Sequence, residues 1–142
     1  MRLPLRILVV DDHPIVRRNV CSLLRAESDF DVVCDVADGL QAVDKAAEIQ
    51  PDVVVLDITM PHLDGFEAAR RIRRVAPSAE ILFLSQLGTT ETIRQAFSCG
   101  ARGYVDQPPS EIADFGALPL SYWITPRWAL RFSGSRGGRS LA

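Results

Sequence analysis

The sequence predicts an α/β fold: an open parallel sheet covered by helices on both faces. Apolar runs of strand length alternate with stretches whose apolar residues recur at helical spacing, and the connections between them are short. One run, Val53-Val54-Val55-Leu56, is aliphatic at every position, as suits a strand buried on both faces. The right-handedness of parallel crossovers then leaves few topologies. With 142 residues, 47% hydrophobic and 24% charged, the chain has the size and composition of one globular domain.

The elements follow in order. Leu5 to Val10 reads as a first strand, and Asp12-His13-Pro14 as a helix start, because proline is favoured at the first helical position. Val16, Val20, Leu23 and Leu24 form one helical face. Phe30 to Val36 is the second strand, and Asp38 caps a second helix with Leu40, Val43 and Ala47 inward. The third strand spans Asp52 to Asp57. A loop with Pro61 and Asp64-Gly65 leads to a third helix, whose inner stripe is Phe66, Ala69, Ile72 and Val75. Ile81 to Ser85 is the fourth strand. Thr89 or Thr90 caps a fourth helix with Ile93, Ala96 and Phe97 inward and Gly100 as its stop, and residues 102–106 form the fifth strand.

After Gln107 the pattern changes. Pro108-Pro109 opens a short helix over 110–118, with Ile112, Phe115 and Leu118 inward, which Gly116 and Pro119 limit to about two turns. From Leu120 no period is evident, although this stretch holds both tryptophans. From about Ser133 the Gly/Ser/Arg-rich composition predicts flexibility. The expected division is 1–107 as the folded domain and 108–142 as a divergent segment.

Several function classes are disfavoured. No apolar run approaches the roughly 18 residues of a membrane-spanning helix. Residues 1–106 carry 16 acidic against 12 basic side chains, so the main body is no general polyanion binder. Arg70, Arg71 and Arg74 lie opposite the Ile72 stripe, where Glu67 can pair with the first two, which predicts a solvated face. Cys21, Cys34 and Cys99 are widely spaced and predict reduced thiols in a cytoplasmic protein. His13 and His62 read as exposed loop residues without a His or Cys partner at ligand spacing.

In an open parallel sheet, ligands bind beyond the carboxyl ends of the strands. Here those ends carry Asp11-Asp12, Asp57, Ser85 and Asp106-Gln107. If the first and third strands are neighbours, three carboxylates converge and raise one another's pKa. An all-oxygen set of this kind is what Mg²⁺ prefers, so a magnesium site is expected.

These residues carry a resemblance. Asp11-Asp12, the segment Val53 to Asp57 with Ile-Thr-Met-Pro61-His-Leu-Asp-Gly65, Ser85, and Gly100-Ala-Arg-Gly-Tyr104-Val resemble the receiver domain of bacterial two-component response regulators, over about residues 4–106. Asp-Asp-His-Pro-Ile-Val-Arg and Gly-Ala-Arg-Gly-Tyr-Val are most similar to the NarL/FixJ group. The resemblance implies a flavodoxin-like, five-stranded sheet of order 2-1-3-4-5, here with a shortened or absent fifth helix. It implies that Asp57 accepts a phosphoryl group from a sensor histidine kinase. Asp12, Asp57 and the Thr59 carbonyl would coordinate Mg²⁺, with Asp11 acting through a metal-bound water. Ser85 would donate its hydroxyl to the phosphoryl group, and Tyr104 would couple the site to a partner or homodimer surface on helix 4, strand 5 and helix 5. The only chemistry expected is the domain's own phosphorylation and dephosphorylation, so no enzyme acting on other substrates is predicted.

Two departures stand out. Gln107 replaces the lysine that the family carries at the end of strand 5, exchanging a charge-assisted hydrogen bond to the phosphoryl group for a neutral one. A phosphorylation-independent pseudo-receiver is therefore the alternative reading. The other is the ending: the 36 residues after Asp106 are too few for the helix-turn-helix domain of the NarL/FixJ group, so direct DNA binding is not expected. Their loss of pattern reads as a truncated or frame-shifted ending. A dehalogenase-type hydrolase is disfavoured because Thr59 stands where that mechanism needs a second aspartate. Flavin binding is disfavoured by Asp11-Asp12 in the loop that would cradle a phosphate.

Overall fold

The structure is a computed structural model and describes residues 3–85 and 90–106. Five strands alternate with four helices: β1 (Leu5–Val10), α1 (Pro14–Arg25), β2 (Phe30–Val36), α2 (Gly39–Ile49), β3 (Val53–Asp57), α3 (Gly65–Val75), β4 (Glu80–Ser85), α4 (Thr90–Ser98) and β5 (Gly103–Asp106). The sheet has the order β2-β1-β3-β4-β5, parallel throughout. It is the flavodoxin-like arrangement expected. Gln107, Pro108 with its peptide geometry, the helix expected at 110–118 and the remainder of the chain lie outside the described residues.

Strand alternation sorts the aliphatic side chains between two cores. Leu8 and Val10 of β1, Val54 and Leu56 of β3, and Ile81 and Phe83 of β4 meet Ala42, Ala46, Phe66, Ala69, Ile72 and Ala96 on one face. Their neighbours Ile7, Val9, Val53, Val55, Leu82 and Leu84 meet Val16, Val20, Cys21 and Leu24 of α1 on the other. Each central strand is therefore covered on both sides, which is why its sequence shows no polar alternation. Phe66 and Phe83 pack edge to face at 5.3 Å and lock α3 over the middle of the sheet.

Side-chain caps set the helix starts. Asp38 accepts the Gln41 N–H at 2.8 Å, and Asp64 accepts the Glu67 N–H at 2.9 Å. Glu67 in turn pairs with Arg70 at 3.1 Å and Arg71 at 3.3 Å, and the two guanidinium groups hold its carboxyl below the usual range. The basic stretch of α3 is thus partly neutralised within its own helix.

Three inward stripes differ from the expectation. Leu40 is half exposed and Ala47 is exposed, whereas Gly39, Ala42 and Ala46 face inward. The cause is steric. A Cβ on Gly39 would sit 2.8 Å from the Leu63 carbonyl oxygen, so α2 can approach only through its smallest residues. Phe97 of α4 is likewise half exposed, with Ala96 and Cys99 buried beside it, and Val75 at the end of α3 is exposed. Among the described residues no helix is long and apolar enough to cross a membrane.

Candidate functional site

The neighbouring positions of β1 and β3, paired from Ile7↔Val53 to Val10↔Leu56, bring Asp11, Asp12 and Asp57 to one edge of the sheet. Asp11 and Asp57 are buried polar side chains, at 2% and 6% relative exposure, and Asp12 is partly exposed. One oxygen from each carboxylate and a nitrogen of His13 lie within 4.8 Å of one another. The convergence expected of the carboxylates is therefore present.

Local structure fixes each group. The Asp11 N–H donates to the Val36 carbonyl, which ties the end of β1 to β2. The Asp11 carboxylate accepts the His13 N–H at 2.9 Å and closes a tight turn before Pro14 starts α1. Arg17 donates from Nη1 to the Asp11 carbonyl at 2.8 Å and from Nε to Asp35 at 3.0 Å, bracing this turn against β2. The Asp57 carboxylate accepts the Thr59 N–H at 3.3 Å from the loop it enters. Beneath that loop, Gly65 allows contact no other residue would: a Cβ there would lie 2.3 Å from the Asp57 carbonyl oxygen.

The electrostatics are unfavourable for three ionised carboxylates. Burial, followed by the charge of Asp11, pushes the Asp57 carboxyl up to about 7. Asp11 is also raised, chiefly by burial, despite the hydrogen bonds from His13. Among the described residues Asp11 Oδ2 is buried without a hydrogen-bond donor, and Asp12 Oδ1, also buried, accepts no hydrogen bond although His13 Nδ1 lies 3.1 Å away. Such orphaned acceptors at the meeting point of three acids fit a hard divalent cation, which accepts oxygen ligands and cancels their repulsion.

His13 is a finding that the sequence reading did not anticipate. Its side chain is exposed, as expected of a loop residue, yet Nδ1 lies 3.2 Å from Asp11, 3.1 Å from Asp12 and 3.9 Å from Asp57. Its own desolvation opposes the charged ring, but the three carboxylates together raise its pKa. The signal was available in its position immediately after the two acids. Spacing to other His or Cys residues does not reveal it, because its neighbours here are carboxylates.

On the far side of β3, Ser85 ends β4 in register with Asp106 at the end of β5. Tyr104 lies opposite Phe83 and is partly buried against the α2/α3 core. Thr59 is exposed at the mouth of the cluster.

A sequence profile of the response regulator receiver domain matches residues 7–114. The chain belongs to this family. The receiver is 38% identical over 104 residues to the chemotaxis protein CheY of Listeria monocytogenes, covering 73% of this chain and 87% of that protein. Among solved structures, the response regulator domain of Thermotoga maritima CheB is similar with a TM-score of 0.74 at 31% identity, over 94% of this chain and 96% of that one. The CheX-CheY-BeF3-Mg+2 complex from Borrelia burgdorferi gives 0.71 at 26% identity, over 80% and 87%. This is therefore the receiver domain of a two-component response regulator.

Proposed function

We propose that this receiver accepts a phosphoryl group on Asp57 from a sensor histidine kinase, in the presence of Mg²⁺, and thereby switches a protein-interaction surface. The observation that carries this reading is the set of three carboxylates at the ends of β1 and β3, with two buried oxygens that accept no hydrogen bond among the described residues. Asp12, Asp57 and the Thr59 carbonyl would hold the ion, with Asp11 reaching it through water. When bound, the ion neutralises the carboxylates and screens the incoming phosphoryl oxygens. The BeF3 and Mg+2 named with the Borrelia complex support this assignment.

Asp57 acts as the nucleophile. One of its oxygens bonds to phosphorus while the bond from phosphorus to the imidazole nitrogen of the donor breaks, leaving an acyl phosphate on Asp57 and a free histidine on the kinase. Hydrolysis completes the cycle: a water oxygen bonds to phosphorus while the bond from phosphorus to the Asp57 oxygen breaks, releasing inorganic phosphate and restoring the carboxylate. This self-modification is the whole of its chemistry. Ser85 would donate its hydroxyl to the phosphoryl group, and Tyr104 would relay occupancy to the surface of α4 and β5, where a downstream protein or a second copy docks. The motifs around Asp11 and Gly100 support an assignment to the NarL/FixJ group, and the free thiols of Cys21, Cys34 and Cys99 support a cytoplasmic location.

The sequence feature behind the alternative of a phosphorylation-independent module is Gln107, which stands where the family carries a lysine. One experiment separates the readings: intact mass after incubation with a small acyl-phosphate donor and Mg²⁺, with tryptophan fluorescence in parallel. A mass gain that Asp57→Ala abolishes supports the phosphoacceptor, and a concurrent fluorescence change supports switching. No mass gain in a protein that binds Mg²⁺ leaves only the pseudo-receiver.

A further inference from the structure

We infer that His13 is a fourth ligand of the cation site and biases it toward transition ions that accept an imidazole nitrogen, such as Co²⁺, over Mg²⁺. The inference rests on the reading of the Asp11, Asp12 and Asp57 cluster as a cation site. Nδ1 faces the three acids at 3.2, 3.1 and 3.9 Å, while the exposed ring leaves its other edge toward solvent. Adjacent ligands of a six-coordinate ion at about 2.1 Å stand about 3 Å apart, so the two shorter separations already match neighbouring positions of one shell. The longer one is within a few tenths of an ångström of the about 4.2 Å that separates opposite positions of the same shell.

The ring is held there by backbone. The His13 N–H is bonded to Asp11 Oδ1, Pro14 fixes the next residue, and Arg17 clamps the Asp11 carbonyl, so the turn presents the imidazole to the carboxylate whose other oxygen, Oδ2, is orphaned. Chemistry then decides which ion gains. Carboxylate and water oxygens suit Mg²⁺, whereas imidazole suits later divalent metals, and Mg²⁺ gives up water reluctantly to bind nitrogen. Mg²⁺ would bind through the acids with the ring displaced, and Co²⁺ through the acids and Nδ1.

The test uses the whole chain stripped of metal, titrated separately with MgCl₂ and CoCl₂ by calorimetry, with proton NMR of the Co²⁺ form. Loss of even an outer partner of a ligand costs about 10- to 100-fold in metal affinity, so His13→Ala is expected to weaken Co²⁺ at least tenfold while Mg²⁺, no longer displacing the ring, binds unchanged or somewhat tighter. His13→Asn, which keeps a polar side chain, behaves the same way, and His62→Ala has no effect. A paramagnetically shifted, exchangeable imidazole N–H is expected in the unsubstituted protein and in His62→Ala, and is absent from His13→Ala. Unchanged Co²⁺ affinity, an equal loss for both ions, or a gain for both, as for a ring that merely competes with the ion, overturns the inference and leaves the cation site standing. Failure of the unsubstituted protein to bind either ion overturns the site itself.

Discussion

At the amino end of β1 and β3, Asp52 accepts the Arg6 N–H at 2.8 Å, donates its own N–H to the Arg6 carbonyl and accepts Glu80 N–H on its carbonyl. At the carboxyl end of the same two strands, Asp11, Asp12 and Asp57 share few donors among the described residues, and two of their buried oxygens accept no hydrogen bond from them. The first end spends its acid on the backbone and gains stability. The second holds its acids in a state that only protons or a cation relieve. Asp52 just before β3 and Asp57 as its last residue thus have opposite physical roles, and the unrelieved end is the one the proposed function uses.

The largest expected effect turns on this contrast. With its carboxyl raised to about 7 in the fold, Asp57 binds more protons in the native than in the unfolded chain between about pH 4 and 7. Without divalent ions, stability should therefore fall as pH rises across that window. A shift of about three units corresponds to at most about 4 kcal/mol, so Asp57→Asn is expected to stabilise the ion-free protein by up to that amount at pH 8. Urea denaturation in chelator checks this, and added Mg²⁺ should reverse the order of the two proteins. A destabilised Asp57→Asn in chelator would break the contrast.

Gly65→Ala is next. The added methyl would lie 2.3 Å from the Asp57 carbonyl oxygen and 2.7 Å from the Ile58 Cα, backbone atoms that cannot swing aside. A loss of about 3 kcal/mol in denaturation is expected, with weaker Mg²⁺ binding in the fraction still folded. Smaller still is Asp52→Ala, which strands the partly buried Arg6 N–H and should cost about 1–2 kcal/mol whether or not Mg²⁺ is present. Sensitivity of that variant to Mg²⁺ would mean that the two ends are not independent.

Legibility in the sequence followed the strength of the local signal. The strands were readable because Val53 to Leu56 and the runs like it leave no polar alternative, and the site was readable because Asp11, Asp12 and Asp57 all fall at strand ends. The inner face of α2 was not. Its contact residues Gly39, Ala42 and Ala46 are too small to dominate a hydrophobic pattern, and Leu40 drew the expected face one residue away. Val75 and Phe97 misled in the same way, as large apolar side chains at helical spacing that the packing leaves outside. His13 escaped because its role depends on three acids meeting in space, one of them 44 residues further along the chain.

The central claim, that the carboxyl end of β1 and β3 is held unrelieved until a cation binds, is tested most directly by titrating the aspartate carboxyl carbons by NMR. The Asp57 resonance is identified by its loss in Asp57→Asn. In chelator it should titrate near 7, and with saturating Mg²⁺ its midpoint should fall below the ordinary range near 3.8. A midpoint near 3.8 in chelator, unmoved by Mg²⁺, would contradict the account.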